Sequence, residues 1–445
     1  MSKRILLFAI FLLSCQTSFS QNSRDAIEFQ LGQSFTGVKA IALGDAFNSV
    51  ADDYSAMYWN PAGLTQEKKI TLAFSGRYIS VNTGSIYASK HGQKTSNDIQ
   101  VNNLSLIFPY PVFRGSLVFS VAYGRGNNYL QALTLAAFDT HPNDYKIEYQ
   151  YSDGTKITPF YMENIDRSED IDQRGSLDKW SFGVALDISP EMALGISLHL
   201  ISGQMFYQNN YAQSDVLDLY NDPALGQDVD VVSGTRSLDY NISGYDLTIG
   251  ALVRPGNDFR IGFNAQIPLN FSVEEKYSDL MSIIFDDPLD IPITNDEREK
   301  SSANYSYEYP VTFSLGISKL FGPLLLTSQA DFQKWSDFSS GGGEDSQLSD
   351  VFFIRFGGEY SISQFLFLRA GYYTVNNPID NVSRYPRLHV YSIGSGFFVT
   401  KKLAIDIALT YSNRNFISPG DDILPQNADI EEKIINGLFE LNYRF

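Results

Sequence analysis

From Glu67 to Phe445 the chain repeats one pattern: stretches of ten or more residues in which apolar and polar side chains alternate, separated by gaps that are in turn very short and long. Alternation with period two marks strands with one greasy and one wet face. It predicts strands near 68–80, 99–108, 113–125, 177–189, 192–207, 237–253, 258–275, 301–320, 323–335, 351–362, 364–374, 387–399, 402–413 and 430–445. In the last of these Ile435, Gly437, Phe439, Leu441, Tyr443 and Phe445 share a face, with Asn436, Glu440, Asn442 and Arg444 opposite. The same split separates Leu403, Ile405, Ile407, Leu409 and Tyr411 from Lys402, Asp406 and Thr410. It also separates Phe259, Ile261, Phe263, Ile267, Leu269 and Phe271 from Arg260, Asn264, Gln266 and Asn270.

The gaps carry the topology. Short ones at 109–112, 190–191, 254–257, Gly322, Ser363 and 400–401 fall on one side; long ones at 81–98, 126–176, 208–236, 276–300, 336–350, 375–386 and 414–429 fall on the other. Tight turns at one end and long loops at the other are the plan of a transmembrane antiparallel β-barrel, all-β, of about fourteen strands. A soluble β-sandwich uses shorter strands with more closely spaced turn signals. Tyr305, Tyr307, Tyr309, Tyr372, Tyr373, Trp180 and Trp335 gather at strand ends and are expected in the interfacial girdles. Pro268 and Pro310 lie inside strands, where each removes a ladder hydrogen bond, so either the strand ends there or the wall kinks and gaps. Gly341-Gly342-Gly343 marks a loop tip.

Ahead of the first strand, residues 37–65 are crowded with small side chains, among them Gly37, Ala40, Ala42, Gly44, Ala46, Ala51, Ala56, Ala62 and Gly63. Such residues suit a backbone pressed against surrounding walls, and a barrel of intermediate size needs something in its lumen to stay tight. A short helix is expected near 38–48, and another near 53–58 capped by Asp52 or Asp53. Asn60-Pro61 then forces the chain out of helix. In Asn60-Pro61-Ala62 the proline fixes its own φ and the asparagine can bond the backbone two residues on, which makes a defined turn, either a gate pivot or a plain connector to the first strand.

The first residues read as a leader: Lys3 and Arg4, an apolar run from Ile5 to Leu13, then Ser18-Phe19-Ser20. Cleavage after Ser20 removes the lone cysteine, Cys15; lipidation at Cys15 is the competing expectation. The expected division is therefore signal peptide 1–20, plug or hatch 21–66 and barrel 67–445.

Loss of the leader moves the formal charge from −18 to −20, which argues against nucleic acid and against docking on an anionic membrane surface. Aromatic residues make up 14% of the chain, high for a soluble enzyme. His91, His141, His199 and His389 lie far apart, with only His199 and His389 expected in strands, and there is no nucleophile elbow, phosphate loop or zinc spacing. Asp286-Asp287 and Asp421-Asp422 are expected as solvated loop charge. No catalytic residue, metal site or cofactor is expected, and the chain is not read as an enzyme.

Gly44-Asp45-Ala46-Phe47, Ala51-Asp52-Asp53 and Asn60-Pro61-Ala62-Gly63-Leu64, followed by about fourteen strands and a terminal Phe445, resemble the FadL/TodX family of outer-membrane transporters of hydrophobic compounds. The resemblance implies a hatch inside the barrel, with Asn60, Pro61 and Ala62 at its conserved-motif positions, and a hydrophobic ligand such as a long-chain fatty acid. It implies an outer-membrane location among membrane lipid. A related branch of PorV-like barrels serves instead as the scaffold of a protein secretion system, which would make a protein the partner. Residues Met281 to Phe285 are expected to form a greasy loop patch where ligand enters.

Overall fold

The computed structural model describes residues 26–27, 29, 36–147, 160–222, 227–256, 258–286, 293–340, 348–379 and 387–445. The proposed leader, Cys15 and Gly341-Gly342-Gly343 lie outside them. Fourteen wall strands follow in order. They are β1 (Thr71–Tyr87), β2 (Lys90–Tyr110), β3 (Leu117–Asn128, resumed at Gln131–Asp139), β4 (Ile165–Ser189), β5 (Met192–Ser214), β6 (Val231–Val253) and β7 (Phe259–Ile284). The second half comprises β8 (Ile293–Glu308, resumed at Thr312–Phe321), β9 (Leu324–Gln333), β10 (Val351–Ser361), β11 (Leu366–Val375), β12 (Leu388–Phe398), β13 (Leu403–Ser418) and β14 (Ala428–Arg444).

Each strand pairs antiparallel with the next. The last returns to the first, from Thr71↔Arg444 to Ile86↔Asp429, and closes the barrel. The apolar alternation points outward as the sequence demands: Leu194, Ile196, Leu198 and Leu200 of β5 are exposed, while Ser197 and His199 between them are buried in the lumen. Trp180, Tyr245, Tyr391 and Tyr411 are also exposed on the outer face.

The strands outrun their expected ends. The long loop expected at 81–98 is a two-residue turn, Ala88-Ser89, both residues at positive φ of 44° and 66°, the geometry of a tight hairpin. Residues 90–97 carry no apolar face to read, yet their backbone pairs with β1 from Tyr87↔Lys90 to Ser80↔Asn97. His91 accordingly lies in a strand. Above the lipid band a strand needs hydrogen bonds and no greasy face, so periodicity under-reports its length. For the same reason the expected loop at 276–300 is mostly the top of β7 and the start of β8. Met281 and Ile283 face inward there and, with Phe285, join a buried cluster, so this segment is not an exposed greasy patch.

Pro268 marks a bulge. The β6–β7 register shifts between Pro268↔Asp246 and Asn270↔Tyr245, which flips the phase of the strand. Phe263 and Leu269 face out, but Phe271, expected on the same face, turns inward and is buried. Pro310 breaks β8 between Glu308 and Thr312. Beyond that break Tyr305, Tyr307 and Tyr309 point into the lumen, as do Trp335 and Tyr373, so none of these five belongs to a girdle. Position near a strand end was the signal used for them, and it says nothing about phase.

Ile407 is exposed on β13 and pairs with Phe439 of β14, in the middle of the outer apolar band. Ile407→Arg is expected to destabilise the barrel by about 2–4 kcal/mol, read as a lower urea midpoint for the heat-modifiable folded band on gels, with Ile407→Ala costing much less.

Candidate ligand chamber and the segment beneath it

Residues 36–66 run inside the barrel. Helix α1 (Val38–Ala42) leads to a turn, α2 (Ala56–Trp59) follows, and a 3-10 turn Pro61–Gln66 delivers the chain to β1. The expected helices thus form, each shorter than its pattern, but neither Asp52 nor Asp53 caps the second: Ser55 precedes it, and the Ser55 amide and hydroxyl donate to the Asp53 carboxylate at 2.7 and 2.6 Å. At one side the Val38 amide and the Tyr54 hydroxyl both donate to Glu440 of β14, at 3.1 and 2.6 Å. At another, the Phe47 and Asn48 amides donate to the Gln329 side chain of β9, at 3.1 and 2.9 Å. Such contacts around the circumference require the backbone to approach the wall very closely. A Cβ at Gly371 would lie 2.0 Å from the Gly44 nitrogen, and one at Gly195 would lie 2.3 Å from the Pro61 carbonyl carbon.

Asn60, Pro61 and Ala62 meet the wall at β5 and β6. Asn60 is extended (φ −166°) and fully buried; its amide donates to the carbonyls of Asn48 (3.0 Å) and Ala251 (2.9 Å), and its side-chain oxygen accepts from the Ala62 amide at 3.2 Å. Pro61 lies over Gly195, and Ala62 packs with Ala193 and Leu252. Proline stops the helix and the asparagine ties three segments to one point.

Over this segment sits a cavity of about 190 Å3. Its floor is Tyr58, Trp59 and Asp45, and its sides include Lys179, Gln266 and Arg355. The cations are already matched: Lys179 lies 3.1 Å from Asp246, and Arg355 lies 2.6 Å from Asp331 and 3.5 Å from Asp45. Next to it an aromatic cluster fills the barrel. Phe29 stands at its centre, 5.4 Å from Tyr240, with Phe271 edge-on to Tyr309 at 4.9 Å and Tyr309 edge-on to Trp335 at 6.0 Å. Phe271 lines both the cluster and the cavity. This is the part of the site that sequence reasoning missed; the phase-flipping proline at 268 was the one available signal.

At the long-loop end Tyr87, Leu133, Tyr145, Phe160, Met281, Ile423 and neighbours pack into a second buried cluster. Toward the short turns the lining changes character. A cavity of about 310 Å3 there is lined by Lys39, Asp52, Glu359, Arg369, Asp406 and Arg444, with Lys39 2.8 Å from Asp52 and Arg369 2.6 Å from Glu359. Of the four histidines only His199 is in the lumen, 2.7 Å from the Ser181 hydroxyl and stacked on Tyr58 at 5.2 Å; the others are exposed.

A closed fourteen-stranded barrel with an apolar outer belt has the architecture of an outer-membrane β-barrel protein. A family profile described as outer membrane protein transport protein (OMPP1/FadL/TodX) matches residues 170–418, more than half of the 445 residues, and the chain belongs to that family. Its fold is similar to that of a Pseudomonas aeruginosa FadL homologue, at a TM-score of 0.60 and 14% identity over 93% of this chain and 98% of that one. It is similar also to the P. putida toluene transporter TodX (TM-score 0.58, 12% identity, 91% and 97% covered). The Ralstonia pickettii toluene transporter TbuX follows at 0.53 and 15%, with 94% and 100% covered. No curated protein sequence matches the chain.

Two outcomes test the seating of residues 36–66. Asn60→Ala leaves buried carbonyls without their donor, a loss of about 1–3 kcal/mol, and is expected to raise ion leak through the protein in planar bilayers while the barrel stays heat-modifiable. The second concerns Asp45. Burial pushes its carboxyl up to about 7, against the opposing pull of Arg355, with Asp331 adding to the rise. A carboxyl raised by folding favours the seated state at low pH and loses that advantage as pH climbs from the ordinary 3.8 through 7. Protease protection of the segment is expected to be stronger at about pH 5 than at about pH 8, and Asp45→Asn to flatten that difference.

Proposed function

We propose that the protein moves hydrophobic small molecules, long-chain fatty acids among them, across the outer membrane by binding them in the aromatic chamber and letting them pass a hatch formed by residues 21–66. The observation that carries this is the aromatic cluster around Phe29 and Phe271, set inside a lumen that residues 36–66 cross. A lumen obstructed in this way does not suit the free diffusion of sugars and ions that an open porin supports.

In this reading Asn60-Pro61-Ala62 is the fixed end of the gate. Asn60 ties Asn48, within the hatch, to Ala251 of the wall, while Glu440 and Gln329 each accept two donors from the rest of the hatch, bonds that must break for it to loosen. A ligand that prefers the loosened packing by about 1.4 kcal/mol shifts the equilibrium tenfold. Leaving the hatch, the solute meets the ion-paired cavity of Lys39, Asp52 and Arg369 on the short-turn side. That exit is poor for an apolar molecule at rest and so favours release over retention.

Strands of 23 to 26 residues in β5 to β7 exceed the nine to eleven that span a bilayer, and the surplus makes a ledge on which a protein could rest; this favours the secretion scaffold as a second reading. Native mass spectrometry of gently extracted protein separates the two: bound lipid or fatty acid is expected, and a stoichiometric protein partner in its place supports the scaffold. Phe271→Ala is expected to weaken binding of radiolabelled palmitate or toluene about tenfold or more, since a buried ring contributes upward of about 1.4 kcal/mol. Steady leakage of sugars through the unaltered protein contradicts an obstructed lumen.

A further inference from the structure

The formal charge of −18 is not spread evenly over the molecule. Acidic side chains crowd the long-loop end, among them Asp170, Asp172, Asp218, Asp230, Glu299 and Glu431. The short-turn end differs, and on one side only.

Strand pairing sets three short segments next to one another there. Leu403↔Tyr443 joins β13 to β14, Thr71 pairs with both Arg444 of β14 and Ile107 of β2, and Tyr110↔Leu117 joins β2 to β3. The turn at 399–402, the ends of the wall at 67–70 and 444–445, and the turn at 111–116 therefore form one continuous arc. Hydrogen bonds stitch it together: the Arg444 amide donates to the Lys402 carbonyl at 2.7 Å, and the Phe445 amide to the Ile70 carbonyl at 3.0 Å. Lys68 reaches across to the Ser116 hydroxyl.

These segments hold six basic side chains, Lys68, Lys69, Arg114, Lys401, Lys402 and Arg444, and one acidic side chain, Glu67. Glu67 is buried and lies 3.2 Å from Arg444; the other five cations are exposed. The excess stays positive even with a carboxylate at Phe445. Across the rim the sign reverses, where the turns at 187–191 and 254–258 set Asp187, Glu191 and Asp258 against Arg254, itself 2.6 Å from Asp187. Like charges gathered on one exposed arc repel one another, so an external anion that reaches them is attracted there.

The surroundings say which anion. Ile70, Tyr110, Val112, Val399 and Phe445 are exposed among the cations, and Phe113 is exposed completely. Tyr443 and Phe445 meet edge-on at 5.0 Å. Next along the strands, Leu72, Phe74, Phe439 and Leu441 belong to the outer apolar band. Aromatic rings at strand ends mark the level of the headgroups, and lysine stems lie along apolar surface while their ammonium groups reach phosphate. A soluble acidic partner needs only the cations. A phospholipid needs cations set beside a greasy wall, which is what the seam presents.

We infer that the short-turn rim across β13, β14, β1 and the β2–β3 turn is a binding site for the headgroups of anionic phospholipids in the periplasm-facing leaflet, the side on which such barrels keep their short turns. The acidic excess of the whole chain, which argues against an anionic membrane surface, lies mainly elsewhere on the molecule and leaves this arc free to bind. The site does not depend on the transport reading.

In the test the purified full chain in detergent is titrated with an equimolar mixture of dioleoyl phosphatidylglycerol and dioleoyl phosphatidylcholine, which share their tails, and retained lipid is counted by native mass spectrometry. A variant carrying Lys69→Gln, Arg114→Gln, Lys401→Gln and Lys402→Gln is compared with one carrying Lys90→Gln, Lys276→Gln, Lys300→Gln and Lys433→Gln at the long-loop end. Heat-modifiable migration checks that both are folded. The unaltered protein and the second variant are expected to retain phosphatidylglycerol in about fivefold excess or more, and the first variant to hold the two lipids nearly equally, with Lys401→Gln and Lys402→Gln alone falling between. Equal retention by the unaltered protein, a preference that survives in the first variant, or one lost equally in the second overturns the site. Complete displacement of the lipid by water-soluble glycerol phosphate overturns the lipid as occupant. A photo-reactive side chain in place of Phe113 is expected to give lipid adducts in intact cells; adducts to an acidic protein and none to lipid reassign the arc to a protein partner and overturn the inference.

Discussion

The constraint on which the structure depends is that a backbone in hydrocarbon must satisfy its own hydrogen bonds. The closed ladder from β1 round to β14 meets it, with β14 pairing to β13 on one side and β1 on the other. Everything else is arranged within that ring. The apolar alternation, the short turns at one end and the closing seam between β1 and β14 are its direct results. Departures from full pairing are correspondingly informative, because a membrane wall tolerates few of them. Among the described residues, the interruption of β3 and the break in β8 at Pro310 are two of them.

Inside the ring the packing is organised by the absence of side chains as much as by their presence. Gly371 and Gly195 take the backbone of Gly44 and Pro61 at distances no Cβ allows. The wall is smooth where the N-terminal segment touches it, and that segment is itself made of small residues. Glycine in a strand weakens it by roughly 0.5–1 kcal/mol relative to alanine; here the loss is local and is offset by the contacts it permits.

Much of this was legible in the sequence. The fourteen strands, the membrane-facing side chains of β13 and β14, the short turns and the small-residue segment ending in Asn60-Pro61-Ala62 all follow from local pattern. Three things did not. Residues 90–97 and the tops of β4 to β7 lie beyond the apolar band, where a paired strand and a polar loop have the same composition. Phe271 reads as lipid-facing by simple alternation, and only the extra residue at the Pro268 bulge turns it inward. Tyr305, Tyr307, Tyr309 and Trp335 were misplaced because an aromatic side chain suits a lipid interface and a dry lumen equally well, and parity alone decides between them. The chamber is thus built from the residues whose destination the pattern leaves ambiguous, whereas the barrel is built from those it does not.

Glu440 sits in the final strand and receives both the Val38 amide and the Tyr54 hydroxyl, while Glu67, just before β1, lies 3.2 Å from Arg444. The two termini of the folded body are therefore joined by side chains as well as by the β1–β14 seam. Order of assembly follows from this. One docking partner of residues 36–66, Glu440, lies in the last strand to be made, so that side of the segment cannot settle before β14 is in place. An incomplete barrel therefore has neither a sealed wall nor a fully seated interior.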